Sequence, residues 1–492
     1  MFSEHRSWDW GDGSDTPPRC RRLLPAEALT TTARRAPNEI GARCRGRNTT
    51  WAELDSLANR VGNALLARGL RPGDVVGVRT GNETETMALI YGLARSGLVQ
   101  LPLNPRYTES EVDHQVRAAG AAAVVGPGGI DLADLLTEGA DSVPDVDVQE
   151  DDPCRIRFSA GTTGTPKMFY FKHRSLYLLQ QYIALELRYQ DHDVLLTNAP
   201  LAHAAFDMTA AAVLVGAQVV LQPTFVAETV WKECDQFGIT QLFAVPTMLA
   251  LALESPGDGA SIRGIAVSAA AFPDTLKQRV VERFPNADVT EMYGASELGF
   301  VTALRGEDWR DHRGSVGQPR FGYRVRILGR QGEDLSSGQI GDIYCHGPAM
   351  SEGYMGDIKG TPPPRDGWVS AGDMGWLDPA GYLYIADRRT DLIVSGGHNI
   401  YPAEVENVLL QVPGVREAAV VGVSDGIWGA RVVAVVSGDA AAEALEAHAE
   451  RVLASFKRPR EYRVVADLPK SSTGKILRRE VRDMLGQADP AR

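Results

Sequence analysis

From Trp51 onward the apolar residues Trp51, Leu54, Leu57, Val61, Leu65 and Leu66 recur three and four positions apart, the spacing of one helix face. Gly69 and RPGD at 71–74 end that helix, and VVGVR at 75–79 reads as a strand. The alternation repeats. A helix around 84–97 leads to LVQLPLN, and a helix around 108–119 leads to AAAVVG. VLLTNAP, AQVVLQP, QLFAVP and GIAVSAAA continue it. Helices alternating with apolar strands predict an α/β fold with parallel sheets flanked by helices.

The texture changes after Gly314. The runs YRVRILG, GQIGDIYCHG and GYLYIAD, separated by turns such as GRQGED, predict a small antiparallel, β-barrel-like part. After Arg388 a shorter segment has its own strands (REAAVVGVS, ARVVAVVSG) and helices near 402–411 and 440–455. The expected division is a large N-terminal domain, 1–388, and a small mobile α+β domain, 389–492. Residues 1–25, rich in charge, Pro and Gly, read as a mobile arm.

Composition narrows the function. A net charge of −12 over 492 residues makes nucleic acid and anionic membranes poor partners for the bulk surface. The five cysteines (Cys20, Cys44, Cys154, Cys234, Cys345) are widely spaced and form no CxxC pair, and the histidines form no HExxH. A disulfide framework or zinc site is not expected. The first residues lack the apolar core of a signal peptide, and the longest apolar run, AAAVLVG at 210–216, is too short to span a bilayer. A cytoplasmic protein is expected.

The densest chemistry lies in RFSAGTTGTPKMFYF, 157–171. Gly161 and Gly164 leave backbone N–H groups uncovered, Thr162, Thr163 and Thr165 add hydroxyls, and Lys167 adds a point charge. The strand-like RIRFS precedes this loop and the helix-like HRSLYLLQQYIALEL follows, so the expectation is an anion nest beside a helix. The spacing is not that of Walker A, because Pro166 stands where the second glycine belongs. Judged alone, the loop reads equally well as a Ser/Thr/Gly surface turn.

SAGTTGTPK closely resembles the phosphate loop of the adenylate-forming superfamily, which includes acyl- and aryl-CoA ligases, amino-acid-activating domains and luciferases. Five further segments resemble that superfamily's motifs in order: PLAHAAF (200–206), EMYGASELG (291–299), AGDMGWLDPAGYLYIADRR (371–389), SGGHNIYPAEVE (395–406) and PKSSTGKILRRE (469–480). The resemblance implies a reaction in which a carboxylate attacks the α-phosphate of ATP, giving an acyl-adenylate and pyrophosphate, before a second nucleophile takes the acyl group.

Roles follow by position. The resemblance implies that Ser159, Gly161, Thr162, Thr163, Gly164, Thr165 and Lys167 cradle the β- and γ-phosphates. Tyr293 beside Gly294 stacks on adenine, Ser296 is the phosphate-side hydroxyl, and Glu297 is the Mg²⁺ carboxylate. Asp373 accepts from the ribose hydroxyls and Arg388 contacts the ribose and phosphate side. Lys475, with Thr163, Glu297 and His203, makes up the expected catalytic set; the lysine bridges the substrate carboxylate and the α-phosphate. The C-terminal domain then rotates at Thr390, where relatives carry Asp or Lys, and brings Ser395-Gly396-Gly397 to the acceptor tunnel.

The acid pocket is expected around His203, Phe206, Asp207, Ala269 and Ala270, with Gly397 on the acceptor side. Ser268-Ala269-Ala270-Ala271 stands where Gly-Gly-Ala is commoner, so added methyl groups narrow the wall and favour a short or flat acid. Asp207 needs a partner in a mostly apolar pocket. It has four open readings: it holds an amino acid's ammonium, an attacking amine or a protein donor, or it caps the helix that follows. Two functions compete within the family. The leading one is an acid–CoA ligase for an aryl or medium-sized acid, favoured by GGHNIYPAEVE. The alternative is an amide synthetase in which an amine attacks the adenylate without CoA, supported by Asp207 and Thr390. A stand-alone amino-acid-activating domain is weaker. A protein that keeps the fold for binding alone is disfavoured by the intact Lys167, Glu297, Asp373, Arg388 and Lys475.

Overall fold

The computed structural model describes residues 22–105, 107–159, 167–329, 331–355, 364–388, 391–395, 398–425, 428–471 and 475–487. Each expected N-terminal helix is present. Thr50 and Glu53 form a capping box that starts Trp51–Ala67, and Thr108 and Glu111 form another that starts Glu109–Ala119.

Among the described residues two large sheets dominate. In the first, the strands Asp288–Ala295, Gly264–Val267, Gln241–Ala244, Val194–Thr197, Gln218–Leu221 and Ile40–Cys44 run parallel in that spatial order. Antiparallel strands finish both edges. In the second, Pro153–Ser159, Val99–Pro102, Val75–Val78 and Ala123–Val125 are parallel, while Lys167–Lys172 and Tyr354–Met355 add an antiparallel edge. The helix Ala204–Val215 is apolar on nearly all sides and belongs to the largest core cluster with the helices Thr84–Arg95 and His173–Glu186. A helix without a polar face has to be buried. Among the described residues no helix is long and apolar enough to cross a membrane.

The change of texture after Gly314 corresponds to a four-stranded antiparallel sheet of Arg324–Leu328, Gly341–His346, Asp373–Leu377 and Leu383–Arg388. Beyond it, Val415–Asp425, Gly429–Gly438 and Glu461–Val465 form a separate three-stranded sheet. The helices Pro402–Leu409, Ala442–Val452 and Arg478–Gln487 pack on that sheet and supply its own two apolar clusters.

Candidate active site

Between the opening loop and the expected helix lies a strand that sequence reading left unassigned. Lys167–Lys172 pairs antiparallel with Pro153–Ser159, with Ser159 opposite Lys167. The helix expected from HRSLYLLQQYIALEL follows as His173–Glu186. KMFYFK is rich in aromatic residues, which favour strands, and it completes a ladder with RIRFS. Gly161, Thr162, Thr163, Gly164 and Thr165 lie outside the described residues, as do Gly397 and Thr390; of Ser159 and Arg388 only the backbone is described.

Tyr293, Gly294, Ser296 and Glu297 lie on and just beyond the strand Asp288–Ala295. A bulge between Tyr293 and Gly294 turns the strand end. A Cβ at Gly294 would stand 1.9 Å from the Gly299 carbonyl oxygen, so only glycine fits there. The Tyr293 hydroxyl donates to Asp373 Oδ2 at 2.8 Å. Asp373 in turn pairs with Arg388 across the small sheet. One hydrogen bond thus joins the strand that carries the expected adenine-stacking ring to the pair expected at the ribose.

Glu297 is buried, and its Oε1 accepts from the Tyr354 hydroxyl. Tyr354 also packs beneath Lys167, whose Nζ lies 5.9 Å from the ring centroid, and pairs with Phe169 in the ladder. Tyr354 therefore links the expected metal carboxylate to the expected phosphate lysine. Sequence reading missed it; the signal available was a lone aromatic in SEGYMG. Among the described residues no group of three or more His, Cys, Asp or Glu side chains is placed to hold a metal. A single buried carboxylate suits a hard cation whose remaining ligands are phosphate and water oxygens.

Nearer the loop, His203 precedes the helix Ala204–Val215 and its Nε2 lies 3.2 Å from the Asn104 side-chain nitrogen. Burial first, and then the Arg157 charge, push the imidazole down to about 4, so it is neutral near pH 7 and accepts from the amide. Asp207 lies in the first turn of the same helix but does not cap it. Its Oδ1 accepts from Arg155 at 2.6 Å and its Oδ2 from Arg157 at 2.9 Å. Burial favours the neutral acid, but the Arg157 and Arg155 charges outweigh it and hold the carboxyl below its usual range. Of the readings open for Asp207, the structure supplies protein donors, two of them. Phe206 is buried with the Arg155 guanidinium 5.0 Å from its ring. Ser268, in the other segment expected at the acid pocket, donates to the Met292 carbonyl at 2.7 Å, and Ala269 follows at φ +74°.

Lys475 sits in a turn held by reciprocal bonds with Ser471: Lys475 N–H to Ser471 Oγ at 3.2 Å, and Ser471 N–H to the Lys475 carbonyl at 2.8 Å. Three residues on, Arg478 reaches Asp387, Asp391 and Glu406.

These motifs fall inside two family matches. Residues 29–355 match the AMP-binding enzyme family, and residues 404–475 match the AMP-binding enzyme C-terminal domain. The chain belongs to the AMP-binding, adenylate-forming family. It is 33% identical over 480 residues to a feruloyl-CoA synthase of Amycolatopsis sp, covering 92% of this chain and 97% of the relative. It is 34% identical over 469 residues to the sulfoacetate–CoA ligase of Cupriavidus necator, covering 88% and 92%. The o-succinylbenzoate-CoA synthetase of Bacillus subtilis, solved with its acyl-adenylate, superposes with a TM-score of 0.85 at 29% identity, covering 94% of this chain and 98% of that one. This adenylate-forming ligase thus shares its architecture with ATP-dependent relatives along nearly the whole chain.

Proposed function

We propose that this ligase joins a small-molecule carboxylic acid to coenzyme A through an acyl-adenylate. The acid's carboxylate oxygen attacks the α-phosphorus of ATP and pyrophosphate leaves. The CoA sulfur then attacks the acyl carbon, loses its proton, and AMP leaves. Tyr293, Asp373 and Arg388 would position the nucleoside, and the loop from Ser159 to Lys167 would receive the outer phosphates. Mg²⁺ bound through Glu297 would neutralise phosphate charge. Lys475 would offset the repulsion between carboxylate and phosphate as they meet.

The division at residue 388 fits this chemistry. Residues 1–388 would hold ATP and the acid, and 389–492 would carry Lys475 and rotate near Thr390 between the half-reactions.

The observation that carries the acceptor is Asp207. A carboxylate already bonded to two arginines, with a side chain only 4% exposed, offers nothing to an ammonium or an attacking amine. That removes the main support for amide synthesis. The CoA-ligase names of the relatives point the same way. So does the C-terminal part, where the Arg460 guanidinium lies 4.0 Å from the exposed Trp428 ring. An exposed ring beside a cation suits a phosphorylated nucleotide.

Product mass decides between the acceptors. With ATP and acid, CoA alone should yield an acyl-CoA and AMP, while amines alone should yield no amide. Amide formed without CoA would overturn the choice.

A further inference from the structure

Arg155 and Arg157 are two apart on the strand Pro153–Ser159, so both face the same side, toward the helix that carries Asp207. Their side chains are 3% and 11% exposed. Arg155 is fully engaged: Nε donates to Gln100 Oε1 at 2.7 Å, one terminal nitrogen donates to Asp207, and the guanidinium lies over Phe206. One arginine and one aspartate already make a neutral pair. Arg157 adds a second buried cation to the same carboxylate, and among the described residues no other carboxylate bonds to either guanidinium.

The surplus charge is poorly satisfied. Among the described residues Arg157 Nε is buried without a hydrogen-bond partner, and besides Asp207 the guanidinium has a long 3.4 Å approach to the His203 carbonyl. The His203 ring is neutral. Asp207 balances only one of the two buried guanidinium charges, so this arrangement is stabilised when an anion arrives. Arg157 stands at His203, the expected mouth of the acid pocket, and two residues before Ser159, where the phosphate loop opens. Two strand residues span about 7 Å.

We propose that Arg157 is an anion subsite of the acid pocket, and that the acid is a short one bearing a second anionic group, a carboxylate or a sulfonate. This rests on the ligase reading above and narrows its acid. The reacting carboxylate loses its charge on adenylation, whereas a second acidic group keeps its charge through both half-reactions and so keeps Arg157 paired. Ala269 agrees with a short acid, because it is expected on the pocket wall where glycine is commoner, and it holds a backbone conformation (φ +74°) that glycine would adopt more readily.

The test is acid-dependent exchange of labelled pyrophosphate into ATP, run on the full chain with matched short acids: a dicarboxylate, the corresponding sulfonate, its methyl ester and an alkyl acid of equal length. The wild type should prefer one or both dianionic acids by about 100-fold in kcat/KM, a comparison that requires no variant. Arg157→Gln should erase most of that preference and leave KM for ATP within about twofold, while Arg157→Lys should retain part of it. The proposal fails if acids with neutral tails are preferred. It also fails if Arg157→Gln weakens ATP as much as acid, which would mark a phosphate contact, or weakens both acid classes equally, which would mark a structural role. Absence of exchange with every acid tested, aryl acids included, would be a different failure, that of the ligase reading itself.

Discussion

Arg478 Nη1 donates to Asp387 Oδ1 at 3.1 Å, tying the helix that follows Lys475 to the last strand of the four-stranded sheet. The same guanidinium bonds Asp391 at 2.9 Å and Glu406 at 2.6 Å, so one cation faces three carboxylates on both sides of position 390. Burial works against the charged form, but Glu406, Asp387 and Asp391 outweigh it and hold the proton on. Removing the cation leaves the carboxylates facing each other. Arg478→Ala should cost about 3 kcal/mol in denaturant unfolding. Arg478→Lys should recover only part, because an ammonium has no planar fork. Equal stability of all three proteins would show that the cluster contributes nothing.

The Tyr293–Asp373 bond makes a separate prediction about ATP. Tyr293→Phe keeps the ring but deletes a hydrogen bond to a carboxylate, a contact of about 1.5–3 kcal/mol. KM for ATP should rise roughly 10-fold or more while KM for the acid stays near wild type. Tyr293→Ala, which loses the ring too, should be worse. An unchanged ATP KM in Tyr293→Phe would separate this tyrosine from the nucleotide site.

His173 sets an acid limit on stability. It is fully buried, neither ring nitrogen has a hydrogen-bond partner, and burial lowers it from 6.5 to about 4. Between those values the unfolded chain binds the proton and the folded one does not. Stability is therefore complete above about pH 6.5 and falls as pH drops toward 4, by about 3 kcal/mol from this residue. Melting temperatures across that window should fall for the wild type and fall less steeply for His173→Phe. Parallel curves would contradict this assignment.

The βαβ texture, the antiparallel insert and the C-terminal segment were all legible, because periods of 3.6 and 2 and their turn residues are local properties. The strand Lys167–Lys172 was not. Its evidence is the ladder with Pro153–Ser159, and MFYF has no alternation that marks it as distinct from the loop. Tyr293, Glu297 and Asp373 could be named from motifs, yet the bond between Tyr293 and Asp373 joins residues 80 apart and required coordinates. Tyr354 was missed because a single aromatic carries no pattern. Asp207 was found but left with four readings, since RIRFS shows two arginines without showing which way they face.

The central claim is that an acid is adenylated by ATP with the help of a lysine from the C-terminal part. Pyrophosphate–ATP exchange, measured in wild type and Lys475→Ala beside conversion of a supplied acyl-adenylate with CoA, tests it most directly. Exchange should require acid in the wild type and fall about 10²- to 10³-fold in the variant. The supplied adenylate should still be converted at close to the wild-type rate. Equal loss of both half-reactions, or exchange that ignores the acid, would contradict the account.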